Sequence, residues 1–182
     1  MTNMYTAAMG TLLVSVLTVA PVMAEEDASP AATDETALMQ SQAQGNLFDL
    51  LKAHTMFSRF TDIVERAGMS ALLSQNGPYT VFAPTNAAFD RLSPAEQARL
   101  ARGDHATLQQ FVKHHIVSAW VTREQAVNAP RVQALIQQLT LQVTPTQYLV
   151  EGHPVVMSDV PATNGLLNIV EDVLLPHFPQ PL

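Results

Sequence analysis

The chain has 182 residues, 47% of them hydrophobic, which suits one folded domain with appendages and excludes global disorder. Its formal net charge is -7 and its pI is about 5.2, which argues against nucleic-acid binding, since phosphate neutralisation needs clustered Lys and Arg. There is no cysteine, so disulfides, thiol catalysis, thiolate metal sites and a lipidated N-terminal cysteine are excluded.

Residues 7–20 form an apolar run, followed by Pro21-Val22-Met23-Ala24 and then Glu25-Glu26. Val22 and Ala24 suit signal-peptidase cleavage after Ala24, so residues 1–24 are read as a signal peptide. The run is shorter than the roughly 20 residues of a membrane span. An uncleaved anchor is the alternative, because residues 1–6 lack Lys and Arg. The expected address is extracytoplasmic: periplasmic, secreted or at the cell surface. Residues 25–45 carry Glu25, Glu26, Asp27, Asp34 and Glu35 with no base, and read as a flexible acidic linker. Residues 46–176 hold the other eleven acids and all nine bases, a balance of -2, so the acidity belongs to the tether and the folded part is nearly neutral.

Asn46 is the expected N-cap of a first helix, with Asp49 at the capping-box position. Phe57, Phe60, Ile63, Val64 and Ala67 share one face of a helix over 57–67, which Gly68 ends. A short apolar turn over 69–73 precedes Asn76-Gly77-Pro78. Residues 77–89 then compress a turn, a buried strand over 79–83 stopped by Pro84, and a helix start capped by Thr85 and Asn86. Ser93-Pro94-Ala95-Glu96 opens another helix, and Asp104 caps a longer one over 106–115. From Ile116 the period changes. Strand-like runs are read at 116–117, 120–121, 139–143, 148–150, 155–157 and 166–175, with turns at 151–154 and at Asn164-Gly165. Helices first and then mostly strands, without a repeat, make an α+β domain over 46–176, followed by a short tail at 177–182.

Several of these residues resemble the fasciclin family, of the secreted bacterial single-domain type. Residues 79–89 are similar to its first conserved box. Phe57-Ser58, Ala67-Gly68-Met69, His114-His115 before Ile116-Val117, Ser158-Asp159-Val160 and residues 164–176 resemble its further motifs, in family order. The chain departs from the pattern at His114, usually tyrosine, at Asn168, usually histidine, and at Glu171, usually Asp. The resemblance implies a β-sandwich-like wedge with helices packed on one side, and a non-enzymatic adhesive role outside the cytoplasm. Its implied partner is an extracellular or cell-surface protein or polysaccharide. It also leaves open a carrier of an apolar ligand such as a pigment or lipid.

His114, Asp159 and Val160 are the candidate partner contacts, on that resemblance. Thr85, Asn86, His115, Asn164 and Gly165 are read as structural. His115 falls on the apolar face with Leu108 and Phe111, where a buried histidine bonded to backbone is the expectation. Adjacent helical residues diverge by about 100°, so His114 and His115 do not share a metal. The remaining histidines lack metal-ligand spacing, and neither a metal nor another cofactor is expected. No serine elbow, HExxH, phosphate loop or paired-carboxylate motif supports catalysis.

Overall fold

The computed structural model describes residues 45–176. The expected signal peptide, nearly all of the acidic linker and the tail lie outside the described residues.

Helix starts follow the capping chemistry of the sequence. Helix α1 (Leu47–Ala53) begins at Asn46, whose side chain accepts from Asp49 N at 3.0 Å while Asp49 returns a bond to Asn46 N at 3.2 Å. A 3₁₀ turn (Thr55–Phe57) leads into α2 (Ser58–Arg66), which buries Phe60, Thr61, Ile63 and Val64. Gly68 leaves that helix at φ 65°, a left-handed conformation that glycine adopts without strain. Helix α3 is Ser70–Ser74. Thr85, Ser93 and Asp104 cap α4 (Asn86–Asp90), α5 (Pro94–Arg102) and α6 (His105–His114).

The strands are β1 (Tyr79–Pro84), β2 (Ile116–Val117), β3 (Arg131–Gln133), β4 (Gln138–Val143), β5 (Tyr148–Val150), β6 (His153–Ala162) and β7 (Gly165–Val170). They form a seven-stranded sheet in the order β2-β1-β7-β6-β5-β4-β3. Only β1 and β7 run parallel, from Tyr79 opposite Gly165 to Pro84 opposite Val170. The two edges approach each other: Val117 bridges Ala134, and Leu135 N donates to Ile116 O at 3.0 Å. The wedge thereby nearly closes into a barrel, which leaves little unpaired edge.

One core lies between the helices and one face of the sheet, centred on Phe57, Phe60, Phe111, Val81 and Leu167. A second fills the curled sheet, around Phe82, Leu139, Leu141, Tyr148, Val150 and Val170. Neighbouring residues of one strand serve different cores, as Val81 and Phe82 do, because side chains alternate across a sheet. This arrangement makes β1 and β7 buried on both faces.

Four local readings need correction. Trp120-Val121 is not a strand but part of the loop before a further helix, α7 (Arg123–Asn128), headed by a Thr122–Gln125 capping box. Neither α7 nor β3 was expected, since six and three residues are too short to display a period. Ala126 of α7 packs into the second core, so one helix stands apart from the others. The run expected over 166–175 leaves the sheet after Val170, yet Val173 and Leu174 stay buried by packing rather than by pairing. Conversely β6 extends well beyond 155–157, because register shifts between Val155 and Met157 and between Met157 and Val160 disguise its alternation.

Candidate functional site

The junction at 77–89 is held from several directions. Gly77-Pro78 is a cis peptide, and a Cβ on Gly77 would overlap the Asn164 carbonyl oxygen. Thr85 caps α4, whereas Asn86 serves a different helix: its Oδ1 accepts Arg59 N at 3.1 Å and its amide donates to Thr55 O at 2.9 Å. Asn164 was expected to form a turn with Gly165. The two-residue turn is instead Thr163-Asn164, since Ala162 already pairs with Gly165. Asn164 Oδ1 accepts Leu47 N at 2.8 Å, and its amide donates to Leu73 O and Gln75 O, both at 2.7 Å. Its carbonyl accepts Tyr79 N at 3.1 Å. Gly165 follows as the first residue of β7, where a Cβ would overlap the Tyr79 carbonyl oxygen and stand 2.7 Å from Leu47 Cδ1. These residues join α1, α3, β1 and β7.

Asp159 lies inside β6, at its register shift, with φ 60° rather than in a loop. Its amide, displaced from the ladder, donates to Asn168 Oδ1 at 2.8 Å. Its carboxylate accepts Arg123 N at 3.1 and 3.2 Å, which ties the bulge to the start of α7. Asn168 Nδ2 and the buried Tyr148 hydroxyl find no hydrogen-bond partner in the protein. Burial, and then the Asp159 charge, push the Tyr148 hydroxyl well above the usual phenol range. Just before α7 stands Trp120, 47% exposed, with Val127 (60%) on α7 and Leu135 (36%) after β3.

Val160 is 6% exposed with its side chain in the helix-side core, and His114 is 4% exposed. Neither offers a side chain to the open surface where contacts were expected; the bulge turns Val160 inward and the last turn of α6 buries His114. His115 matches its expectation: it is fully buried, its Nδ1 lies 2.8 Å from Phe111 O, and its ring packs on Phe60 and Phe111. Burial pushes its pKa down to about 3.

His114 forms part of the wall of a cleft of about 430 Å³. Arg91, after α4, Glu96, on α5, Glu151, in the β5–β6 turn, His153, the first residue of β6, and Asp172, after β7, line it. Leu92, Val173 and Leu174 add apolar surface. Arg91 bonds Glu171 Oε1 at 2.8 Å and Asp172 Oδ1 at 3.2 Å, and His153 Nδ1 lies 3.2 Å from Asp172 Oδ2. His114 Nδ1 has no hydrogen-bond partner. Desolvation lowers the His114 pKa, and Glu151 offsets part of that effect. Sequence reading missed this cleft. Its only local signal was a Glu-Gly-His-Pro turn carrying two titratable groups, and the convergence on it of positions 91, 114 and 172 is tertiary. A second cleft, of about 410 Å³, lies between α2 and α5, with Arg59, Asp62 and Arg66 on its wall.

Among the described residues, no group of three or more His, Asp or Glu could hold a metal, and no helix is long and apolar enough to cross a membrane.

A wedge of helices on a nearly closed sheet, pinned at one hairpin and bulged in its long strand, defines a small non-repeating α+β module. Residues 55–176 match the family model of the Fasciclin domain, and the chain belongs to that family. It is 34% identical to mouse Stabilin-1 over 138 residues, which covers 73% of this chain but only 5% of that protein. The pig transforming growth factor-beta-induced protein ig-h3 is 32% identical over 145 residues, 79% of this chain and 21% of that one. The Synechocystis protein sll1483 is nearer in size: 30% identity over 149 residues covers 81% of this chain and 78% of that protein. A solved FAS1 domain pair from the insect cell adhesion molecule fasciclin I aligns with a TM-score of 0.66 at 14% identity, over 74% of this chain and 52% of that one, and shows the shared fold.

Proposed function

We propose that the chain is a non-enzymatic extracytoplasmic association module, a fasciclin domain on an acidic tether that contacts a cell-surface or extracellular protein or polysaccharide. The observation that carries this reading is the placement of the single tryptophan. Trp120 stands 47% exposed beside the Asp159-bound start of α7, and Val127 and Leu135 are exposed on the same stretch of chain. Isolated exposed apolar residues are ordinary. An exposed tryptophan three residues before an α7 start that a carboxylate holds suits a contact anchor, since tryptophan is enriched among residues that dominate binding energy. Fasciclin I, an insect cell adhesion molecule, supplies the class of activity. The proposed contact set is thus Trp120 and Asp159, with Val127 and Leu135; Val160 supports it from the core. Export rests on residues 1–24.

An apolar carrier has less support. Both described clefts are rimmed by charged side chains, and at about 410 and 430 Å³ they suit small guests rather than an extended pigment.

The test is attachment of cells lacking the gene, complemented with the native chain or with Trp120→Ala. The deletion is expected to lower attachment, the native chain to restore it and the variant to fail, while the variant's unfolding free energy changes by no more than about 0.5 kcal/mol. Unchanged attachment in the deletion strain overturns the adhesive reading. Full rescue by Trp120→Ala moves the contact elsewhere.

A further inference from the structure

We propose that Thr80 is the positioning residue of the Trp120 contact: its buried hydroxyl fixes both peptide groups that flank the tryptophan and sets the direction of the indole before a partner arrives. This rests on the reading of Trp120 as the contact anchor. Strand β2 ends at Val117, opposite Thr80 of β1, and Ser118, Ala119 and Trp120 then run exposed to solvent. Among the described residues, no backbone–backbone hydrogen bond holds 118–121. Thr80 takes over that role. Its Oγ1 donates to Ala119 O at 2.6 Å and accepts Val121 N at 2.9 Å.

Ala119 O belongs to the peptide group before Trp120, and Val121 N to the peptide group after it. Peptide groups are planar, so only the two torsions of Trp120 itself separate these anchors. One oxygen holding both planes therefore fixes the Cα–Cβ direction of the tryptophan. The oxygen is itself immobile. Thr80 is fully buried, and its backbone pairs with Val117 on one side and Leu166 on the other. The chain beyond the loop is tied as well, by Val121 in the second core and by the Asp159 carboxylate on Arg123 N. A valine would fill the same place in β1, so the hydroxyl serves the loop rather than the strand. Fixing one residue's backbone in advance removes an ordering cost from binding, worth about tenfold in affinity.

Trp120 is the only tryptophan, so its fluorescence reports on this loop alone. The experiment compares the native full chain with Thr80→Val and Thr80→Ser by time-resolved fluorescence anisotropy and in the attachment assay. Thr80→Val is expected to add a nanosecond motion that lowers the residual anisotropy by about half. Its cells are expected to need about tenfold more exported chain for half-maximal attachment. Thr80→Ser keeps the hydroxyl and is expected to match the native chain in both. A general loss of stability moves the unfolding midpoint but leaves the anisotropy of the folded chain unchanged. If Thr80→Val fails to fold, the native chain carries the test: its Val121 amide is expected to exchange with solvent about a hundredfold more slowly than the Ser118 amide. Native anisotropy in Thr80→Val, Thr80→Ser as mobile as Thr80→Val, or equal exchange at Val121 and Ser118 each overturn the proposal. Failed attachment of Trp120→Ala with native anisotropy in Thr80→Val removes the positioning role alone. Full attachment of Trp120→Ala removes the contact reading and this proposal with it, whatever the anisotropy shows.

Discussion

Two ends of the β6–β7 pair solve the same problem in opposite ways. At the turn, Asn164 is buried and both its side-chain oxygen and its amide nitrogen are bonded, within a site too tight for a Cβ at Gly77 or Gly165. At the bulge, Asn168 is equally buried, but its amide is unpartnered, as is the Tyr148 hydroxyl in the same core. Left-handed backbone at Asp159 within β6 adds local strain there. A fully bonded site fixes a fold and has nothing left to offer a ligand. A site with spare polar atoms gives up stability and keeps chemistry available. The family box at 79–89 belongs to the first kind, the box at 164–176 holds both, with Asn164 bonded and Asn168 partly unbonded, and the exposed Trp120 lies outside both boxes.

The most direct way to break this contrast is Asn164→Ala. The substitution strands Leu47 N at the start of α1 and the carbonyls of Leu73, in α3, and Gln75, just after it. With about 1 kcal/mol or more for each buried bond lost, the expected cost is about 3 kcal/mol. Urea unfolding at pH 7 measures it. A loss below about 1 kcal/mol means that the turn is not the anchor.

This anchor also shows what was legible in the chain. Helix starts were readable because caps are local: Asn46 with Asp49, Ser93 with Glu96 and Asp104 all act within three residues. His115 was readable as buried because its helical face is local too. Asn164 read only as a turn residue, because its partners lie 117, 91 and 89 positions away. The bulge at Asp159 was hidden because nothing in a run of apolar and polar residues announces a non-glycine left-handed conformation. The cleft escaped for the same reason as the anchor's role, since His114 meets Glu151 and Asp172 only after the sheet has curled. Helix α7 did carry a local signal, the Thr122–Gln125 capping box, but six residues after it are too few to show an apolar face.

A smaller effect separates the cores by pH. His115 has its pKa pushed down to about 3 from an ordinary 6.5, mainly by burial. The unfolded chain therefore binds a proton that the folded chain refuses. Stability is full above pH 6.5 and is lost as pH falls from there toward about 3. The slope for one such group is about 1.4 kcal/mol per pH unit, or about 2 kcal/mol between pH 6.5 and 5. His115→Phe keeps a ring between Phe60 and Phe111 and removes the titration. Its unfolding free energy is expected to be flatter across this window by about that amount, whatever its absolute stability. The residual slope belongs to His114, on which burial acts in the same direction. An unchanged slope assigns the acid sensitivity to groups outside the helix-side core.

The finest test concerns Tyr148. Its ring is 3% exposed within the second core, and its hydroxyl bonds to nothing in the protein. If that hydroxyl is truly unsatisfied, Tyr148→Phe removes a desolvation cost and keeps the packing of the ring. The expected result is a gain of about 1 kcal/mol, seen as an upward shift in unfolding temperature of about 3–4 °C. The opposite sign has a definite meaning. A loss of about 1 kcal/mol requires the hydroxyl to be bonded in solution, through a buried water that Asn168 Nδ2 is placed in the same core to share. The bulge end would then be as fully bonded as the Asn164 turn, and spare polar capacity would no longer distinguish the two ends of the pair.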